Sequence, residues 1–396
     1  MNDRKCPNVD EASVDFLSAV EMHKTLVLVA SFVSAAVALI IVRFKFLLSS
    51  SMERSLGARQ SSHRVPTPRL GGVAVLLGIL ATLGLGLRDF NEWVFIAVLP
   101  VFISGLLEDF GIETAPKLRL LVMTLAALAA SYVTGDVVSS IDLPFLDPIF
   151  VMPGIGLVFT VFAVVGLTNG INLIDGVNGL ASSKVIFASV ALSYVAFIHG
   201  DVALFTASLV IAAATLGVFI VNFPFGRIFM GDAGAYSLGF VLAWIVILLN
   251  ERHPEISAWS LLCIISWPIF DTIFAIVRRL NSGAATDRPD HLHFHQLVMR
   301  AWELVSAGQM PRSVANPLAT VTIWPLTLPT IVLGSVFSEN NVVGMGVFVV
   351  SALLFWGSYA TSIYVLRRRK LRQAVGQFVR AVYGATIAKL IPAKAG

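Results

Sequence analysis

Long apolar runs separated by short polar segments form the dominant pattern of the chain. A helix needs about 20 apolar residues to cross the hydrocarbon core of a bilayer, and eleven runs approach this length. They cover roughly residues 25–48, 70–87, 92–107, 118–134, 152–168, 180–198, 202–221, 235–249, 256–277, 318–337 and 342–366. The pattern predicts an all-α polytopic membrane protein with about eleven transmembrane helices.

The composition supports this fold class and excludes an ordinary soluble domain. Hydrophobic residues make up 57% of the chain and charged residues 13%, whereas a soluble domain carries about 25% charged residues. Cys6 lies in the N-terminal segment and Cys263 lies in an apolar run. Neither a disulfide nor a cysteine-based metal site is therefore predicted.

The basic residues are distributed unequally between the two sets of loops. Most of the 28 Lys and Arg residues fall in alternate loops and in the C-terminal segment. Because cytoplasmic loops are enriched in Lys and Arg, this distribution predicts an N-terminus outside and a C-terminus in the cytoplasm. The net charge of +4 then reflects topology, and nucleic-acid binding is not indicated.

Three segments follow from this topology. Residues 1–24 are acidic, unlike the basic start of a cleaved signal peptide, and are predicted to be extracytoplasmic and to precede a retained first helix. Residues 25–366 form a single transmembrane domain that carries the chemistry on its cytoplasmic face. Residues 367–396 form a basic amphipathic cytoplasmic tail, and residues 295–306 an in-plane amphipathic helix.

Four acids lie at the predicted cytoplasmic ends of apolar runs. Glu108 and Asp109 follow the third run, Asp175 follows the fifth and Asp232 follows the seventh. Carboxylate and amide oxygens, together with substrate phosphates, are the ligands that Mg²⁺ prefers. Any one of these acids is equally well explained as a helix cap, but four on one membrane face indicate a Mg²⁺ site.

Asparagines extend this polar cluster. Asn169, Asn172, Asp175 and Asn178 recur every three residues, a spacing that puts them close to one helical face. Such a row offers both donors and acceptors to a nucleotide sugar, and Asn172 is also a plausible neutral Mg²⁺ ligand. A capping ladder at a helix end is the alternative interpretation.

Histidines and an arginine complete the set of candidate residues. His291, His293 and His295 alternate behind Asp290, and in an extended loop they would lie on one side. Zinc is an alternative, but no second cluster of nitrogen or sulfur ligands completes such a site, and pyrophosphate binding fits the surrounding acids better. Arg69 suits phosphate, although the positive-inside rule alone also explains it.

Taken together, the motifs resemble the polyprenyl-phosphate N-acetylhexosamine-1-phosphate transferase family, or glycosyltransferase family 4. The resemblance covers about residues 25–366 and keeps the family's motif order. It is carried by "PTPRLGG" at 66–72, "GLLEDF" at 105–110, "NGINLIDGVNGL" at 169–180, "NFPFGRIFMGDAG" at 222–234 and "DHLHFH" at 290–295.

The resemblance implies a fold, a reaction and a location. It implies eleven helices, Mg²⁺ dependence with Mn²⁺ as an alternative, and transfer of an N-acetylhexosamine-1-phosphate from a UDP-sugar to undecaprenyl phosphate with release of UMP. The expected partners are these two substrates and membrane lipids, and a homodimer is left open. The expected location is the bacterial plasma (inner) membrane, with a cytoplasmic active site.

The family's functional residues carry over by matching positions. Asp232 and Asn172 match the metal site, and Asp109, Glu108 and Asp232 match catalytic positions. Glu108 stands where the family more often has Asp, so Asp109 is the preferred catalytic acid. The positions that match substrate-binding residues are Arg69, Asn169, Asn172, Asp175, Asn178, Asn222, Asp290, His293 and His295.

Two alternatives to this interpretation exist, a different branch of the family and a transporter. The peptidoglycan branch, which transfers phospho-N-acetylmuramoyl-pentapeptide, tends to carry three consecutive histidines. "PDHLHFH" resembles instead the branch that primes O-antigen or related surface glycans, usually with UDP-N-acetylglucosamine. A transporter is disfavoured because transporters keep ionisable groups near the bilayer midplane, whereas these groups gather at one membrane edge.

Overall fold

The fold is known from a computed structural model. It describes residues 9–44, 67–83, 85, 92–112, 114–150, 152, 154–282, 292–305, 310–368 and 377. Every regular element in these ranges is a helix. In chain order they are α1 (Val9–Met22), α2 (Lys24–Arg43), α3 (Gly71–Leu83), α4 (Glu92–Asp109), α5 (Pro116–Thr134), α6 (Asp147–Phe150), α7 (Ile155–Leu173), α8 (Leu180–Ile198), α9 (Val202–Asn222), α10 (Gly231–Arg252), α11 (Ala258–Ile264), α12 (Ser266–Ser282), α13 (Phe294–Val305), α14 (Arg312–Val336) and α15 (Asn341–Arg367).

Each predicted apolar run coincides with one or two helices, and the helices confirm the all-helical class. Within the described ranges, eight helices are long and apolar enough to cross a bilayer. The ninth run is broken into α11 and α12, which meet at an angle of 83°, and the second run gives the shorter α3. Three statements stay predictions: the count of eleven spans, the side of the membrane on which each terminus lies, and the in-plane placement of α13.

The centre of the bundle is formed by α9 and α10. Both helices are apolar around their whole circumference, as expected of helices that are buried on every side, and α10 buries Tyr236, Phe240 and Trp244. On its outer side α9 packs against α2 and α8, while α10 packs against α4 and α7. These two helices form the rigid frame on which the candidate site is built.

The ends of α4 and α10 approach each other very closely. A Cβ atom added to Gly105 would lie 2.5 Å from the backbone nitrogen of Ala233, so only glycine permits this contact. Small residues let membrane helices approach at backbone distance. The contact brings the last turn of α4 onto the first turn of α10, where the acidic motifs of both helices meet.

Candidate active site

Asp109 is the last residue of α4 and caps the first turn of α10. Its Oδ1 accepts the N–H of Asp232 at 2.8 Å, and its Oδ2 accepts the N–H of Ala233 at 3.0 Å. The first amides of a helix have no partner within the helix, and the helix dipole also favours a carboxylate there. The Asp109 side chain is fully buried, so its carboxylate is fixed between the two helices.

Gly231 is required by this arrangement. Its φ of +76° lies in the left-handed region, which residues with a Cβ atom adopt at a cost. A Cβ atom at this position would also lie 2.5 Å from Asp109 Oδ2. In the "MGD" sequence, Gly231 adopts a backbone conformation that other residues adopt only with strain, and Asp232 follows it directly.

Asp232 meets both Asn172 and Arg69. Its Oδ1 accepts from Asn172 Nδ2 at 2.7 Å and from Arg69 Nη2 at 3.0 Å. In the described part of the chain, Asp232 Oδ2 and Asn172 Oδ1 have no hydrogen-bond partner. The two residues predicted as metal ligands thus lie in direct contact, and each keeps one oxygen unused.

The donor set of this pair suits Mg²⁺. A carboxylate and an amide oxygen are hard ligands, and a Mg²⁺ site commonly takes its remaining ligands from phosphates and water. Across the described ranges, no group of three or more His, Cys, Asp or Glu residues has the geometry of a metal site.

Arg69 carries the positive charge of the cluster. Besides Asp232, its guanidinium lies 3.6 Å from Asp109 Oδ1, and the attraction of these acids raises the pKa of Arg69 above its ordinary value. Its side chain stays 40% exposed. Arg69 therefore stabilises the buried acids, while its side chain as a whole remains partly exposed.

Asp175 lies in the turn after α7 and faces the same charges. Burial raises the pKa of Asp175 to about 7, although Arg69 opposes this shift. The prediction that the Asn and Asp row follows one helical face is wrong beyond Leu173, where α7 ends. Asp175 and Asn178 lie in the glycine-containing turn that joins α7 to α8, where Gly179 has a φ of +76°.

Glu108 belongs to a second ion pair beside this cluster. Its Oε2 accepts from Arg119 Nη1 at 2.9 Å, and its Oε1 accepts from the hydroxyl of Thr114. Arg119 also donates to the Tyr236 hydroxyl at 3.1 Å. The sequence interpretation missed Arg119 and Tyr236, because Arg119 counted only as a topological charge and Tyr236 only as part of an apolar run.

The remaining predicted asparagines make structural hydrogen bonds. Asn169 Nδ2 donates to the carbonyl of Val165 in its own helix, and Asn222 Nδ2 donates to the carbonyl of Ile228. Asn178 makes three hydrogen bonds. Its backbone N–H donates to Asn316 Oδ1, its carbonyl accepts from the Thr320 hydroxyl, and its Nδ2 donates to the Pro224 carbonyl. These three side chains shape the loops around the acids.

His293 and His295 lie around the start of α13. His293 precedes the helix and His295 is its second residue, and their rings stack with centroids 5.8 Å apart. His295 is buried against Gly176, where an added Cβ atom would clash with its Nε2. Burial lowers the pKa of His295 to about 4, so this ring is neutral at pH 7. Asp290 and His291 lie outside the described residues.

Asp271 of α12 is the partner of the histidine segment. Its Oδ2 lies 3.1 Å from His293 Nδ1, and its Oδ1 accepts the N–H of Phe294 at 3.2 Å. Asp271 is not among the site residues that the sequence predicts. A single acid within an apolar run was the available signal, because ionisable residues inside membrane helices are rarely without a role.

Similarity to known proteins agrees with this geometry. The family model described as glycosyl transferase family 4 matches residues 92–250. A probable undecaprenyl-phosphate N-acetylglucosaminyl 1-phosphate transferase of Bacillus subtilis (strain 168) is 32% identical over 239 residues, which are 59% of this chain and 65% of the relative. This chain thus spans slightly less than two thirds of that relative's length.

Two further relatives share the name undecaprenyl-phosphate alpha-N-acetylglucosaminyl 1-phosphate transferase. The protein of Yersinia pestis is 30% identical and that of Escherichia coli (strain K12) is 29% identical, each over 248 residues. The match covers 60% of this chain and 67% of each relative. Residues 92–250, which the family model matches, contain the helices that bring Asp109, Asn172 and Asp232 together. The chain therefore belongs to glycosyl transferase family 4, the polyprenyl-phosphate N-acetylhexosamine-1-phosphate transferases.

Proposed function

We propose that the protein transfers an N-acetylhexosamine-1-phosphate from a UDP-sugar to undecaprenyl phosphate and releases UMP. The contact of Arg69, Asn172 and Asp232 above the Asp109 cap is the observation that carries this proposal. It combines hard oxygen ligands with a partly exposed cation, which a diphosphate donor requires. The names of the relatives, which mention undecaprenyl phosphate and an N-acetylglucosaminyl 1-phosphate group, support the same reaction.

Asp232 and Asn172 are the residues that would hold Mg²⁺. When bound, this ion would neutralise the charge of the donor diphosphate. Arg69 adds a fixed positive charge on the same side, and Asp109 keeps Asp232 in place through the first turn of α10. The chain's own task is thus to align and neutralise the phosphates, which is the main contribution of a protein to phosphoryl transfer.

The acceptor phosphate needs little help from a base. The second pKa of a phosphate monoester is about 6, so undecaprenyl phosphate is largely a dianion at neutral pH. One of its oxygens forms a bond to the β-phosphorus of the UDP-sugar, while the bond from that phosphorus to the bridging oxygen breaks and UMP leaves. We assign Asp109 a positioning role in this direct displacement.

An apolar cavity supports a lipid acceptor. The cavity measures about 310 Å³ and is lined mainly by apolar side chains of α7, α10, α11 and α12. Phe162 and Ile273 at its lining are 71% and 54% exposed, so the cavity opens towards the lipid-facing side of the bundle. On α7 the lining continues to Leu167, two residues before Asn169. An isoprenoid segment lying there would direct its phosphate towards the acids.

The finer assignments belong to the same proposal. We place the active site on the cytoplasmic side of the bacterial inner membrane, with the N-terminus outside, because the basic loops lie on that side. The donor is UDP-N-acetylglucosamine or a related N-acetylhexosamine, and the product primes a surface glycan. The spaced pair of His293 and His295 and the names of the relatives support this branch over the peptidoglycan branch.

One reconstitution experiment tests the proposal. Purified protein in lipid nanodiscs is incubated with undecaprenyl phosphate, Mg²⁺ and either UDP-N-acetylglucosamine, UDP-N-acetylgalactosamine or UDP-N-acetylmuramoyl-pentapeptide. Mass spectrometry identifies the lipid product, and UMP is measured in parallel with and without EDTA. We expect an N-acetylhexosamine diphospholipid that depends on Mg²⁺. A lipid product only from the pentapeptide donor would refute the branch, and no product from any donor would refute the reaction.

A matched pair of variants locates the site. Asp232→Ala should lower the rate of product formation by about 100-fold or more, because it removes a group that stabilises charge in the transition state. Asp201→Ala should leave the rate unchanged. Asp201 caps the first turn of α9, whereas the site lies beyond the last turn of this 21-residue helix, about 30 Å away.

A further inference from the structure

Asp271 is a buried acid, and within the described residues its hydrogen bonds all go to the histidine segment. Its side chain is 2% exposed, and a carboxylate buried this deeply must be hydrogen-bonded to persist. Its Oδ2 contacts the ring of His293, and its Oδ1 accepts the backbone N–H of Phe294. The next nearest polar ring is His295, whose Nδ1 lies 3.9 Å from Asp271 Oδ2.

This contact determines which nitrogen of His293 carries a proton. An ionised carboxylate only accepts hydrogen bonds, so the proton of the 3.1 Å contact belongs to His293 Nδ1. The second nitrogen, Nε2, lies on the other side of the ring and has no hydrogen-bond partner in the described part of the chain. Nε2 is therefore the atom of His293 that is left for a ligand.

The position of the ring connects it to the candidate active site. The His293 ring stacks on His295, and His295 is packed against Gly176 in the turn that carries Asp175. Asp175 in turn interacts electrostatically with Arg69 and Asp232. His293 is thus connected, through His295 and the turn at Gly176, to the residues around Asp232.

The histidine segment is also held from its other side. The carbonyl of Leu292 accepts from Tyr359 Oη at 3.0 Å and from Arg278 Nη1 at 3.2 Å, and Arg278 also donates to the Tyr359 hydroxyl. These contacts fix the backbone independently of Asp271. The contact between Asp271 and the His293 ring is therefore more than a means of attaching the segment to the bundle.

We propose that Asp271 is a positioning residue for the transfer reaction, which fixes the tautomer and orientation of His293 so that its Nε2 contacts the UDP-sugar. The proposal rests on the proposed function. The arrangement is a carboxylate that orients a histidine, a pairing whose loss typically costs about 10–100-fold in affinity or activity where the histidine binds a metal. We expect a loss of similar size here.

Asp271→Asn is the sharpest variant. The side chain keeps its shape, and its Oδ1 still accepts the N–H of Phe294. Its Nδ2 then faces His293 Nδ1 and stabilises the opposite tautomer, in which Nδ1 accepts. We expect kcat/KM for the UDP-sugar to fall by about 10–100-fold while the KM for undecaprenyl phosphate stays unchanged. Asp271→Glu keeps the carboxylate and should recover most of this loss.

Two comparisons separate positioning from a merely structural role. In a His293→Gln background, Asp271→Asn should cause no further loss, because the residue through which it acts is gone. Tyr359→Phe removes a hydrogen bond from the same segment without touching the His293 ring, and it should keep kcat/KM within about threefold, since exposed or redundant contacts contribute little. The proposal would be overturned if Asp271→Asn lowered kcat/KM by the same factor with His293 and with His293→Gln. It would also be overturned if Asp271→Asn had the kcat/KM of the wild type.

A direct measurement of the tautomer does not depend on activity. The chain has seven histidines, so ring-¹⁵N labelling followed by solid-state NMR is practicable, with His293→Gln supplying the assignment. We expect a protonated Nδ1 in the wild type and its loss in Asp271→Asn. An unprotonated Nδ1 in the wild type would overturn the proposal even if the enzyme is active. If the wild type forms no lipid product, the proposed function is refuted, and so is the contact of His293 Nε2 with the UDP-sugar.

Discussion

The most direct test of the site geometry is the removal of the Asp109 carboxylate. In the structure this side chain accepts two backbone N–H groups at the start of α10, and none of it is exposed to solvent. Asp109→Ala leaves both amides buried without a partner. An orphaned buried donor costs about 1–3 kcal/mol, so we expect the free energy of unfolding to fall by about 2–6 kcal/mol.

Two further variants calibrate this estimate. Asp109→Asn keeps one acceptor oxygen and should lose about half as much stability, since one amide remains paired. Asp201→Ala removes the cap of α9, which accepts one backbone N–H, that of Leu204, at 2.9 Å. It also removes the partly exposed contacts of Asp201 with Arg252 and His253, and it should cost about 0.5–2 kcal/mol. The order of stability is then wild type, Asp201→Ala and Asp109→Ala.

Unfolding by SDS in mixed micelles, followed by tryptophan fluorescence, measures these differences. Enzymatic rate at a concentration of denaturant well below the transition is recorded on the same samples. If Asp109→Ala unfolds at the same SDS fraction as the wild type, Asp109 does not cap α10 and the geometry described here is wrong. A loss of activity alone would not rescue the argument, because the prediction concerns stability.

Further predictions concern neighbouring positions. Asp232→Asn should lower the rate of UMP release and shift its Mg²⁺ titration to higher concentrations, because the ion loses a charged ligand; an unchanged titration would contradict the ligand assignment. Gly231→Ala should lower the free energy of unfolding by more than about 1 kcal/mol, because its φ is +76° and a Cβ atom would meet Asp109. The control is Gly346→Ala, since no atom lies near the Cβ position of Gly346. This control should leave the stability unchanged or raise it by up to about 1 kcal/mol. Arg119→Gln should destabilise the fold by about 1–3 kcal/mol, since it leaves Glu108 without its ion pair, and an unchanged SDS transition would contradict this. The pKa of Asp175 is raised from 3.8 to about 7, so the folded state retains a proton that the unfolded state loses, and stability should fall as the pH rises through this interval; Asp175→Asn should remove this slope in unfolding experiments at pH 5 and pH 8.

The sequence predicted the helices well because their signal is local. Apolar runs report directly on burial in lipid, and each predicted run corresponds to a helix of the structure, with the ninth run broken at Ile265. The break itself was not predicted. The 83° bend lies between two apolar segments, where the hydropathy of the chain does not change, and Pro268 three residues later was the only local sign.

The candidate site was predicted in part because its motifs also carry local signals. Asn172 and Asp232 were paired from their predicted membrane edge and their family positions, and the structure places them in contact. The pairs Arg119–Tyr236 and Asp271–His293 join residues that are 117 and 22 positions apart. No periodicity connects such residues, so only the packing of α4, α5, α10 and α12 could reveal them.

Asp109 illustrates how the packing changes the mechanism that a motif suggests. As part of "LLEDF", Asp109 is the preferred catalytic acid. A nucleophile must turn an oxygen lone pair towards the phosphorus atom, but both oxygens of Asp109 accept backbone N–H groups and the side chain is fully buried. Attack by Asp109 would release the first turn of α10, and with it Asp232, at the moment when Asp232 is needed to align the donor. The geometry therefore favours direct attack by the acceptor phosphate over a covalent phosphosugar on Asp109.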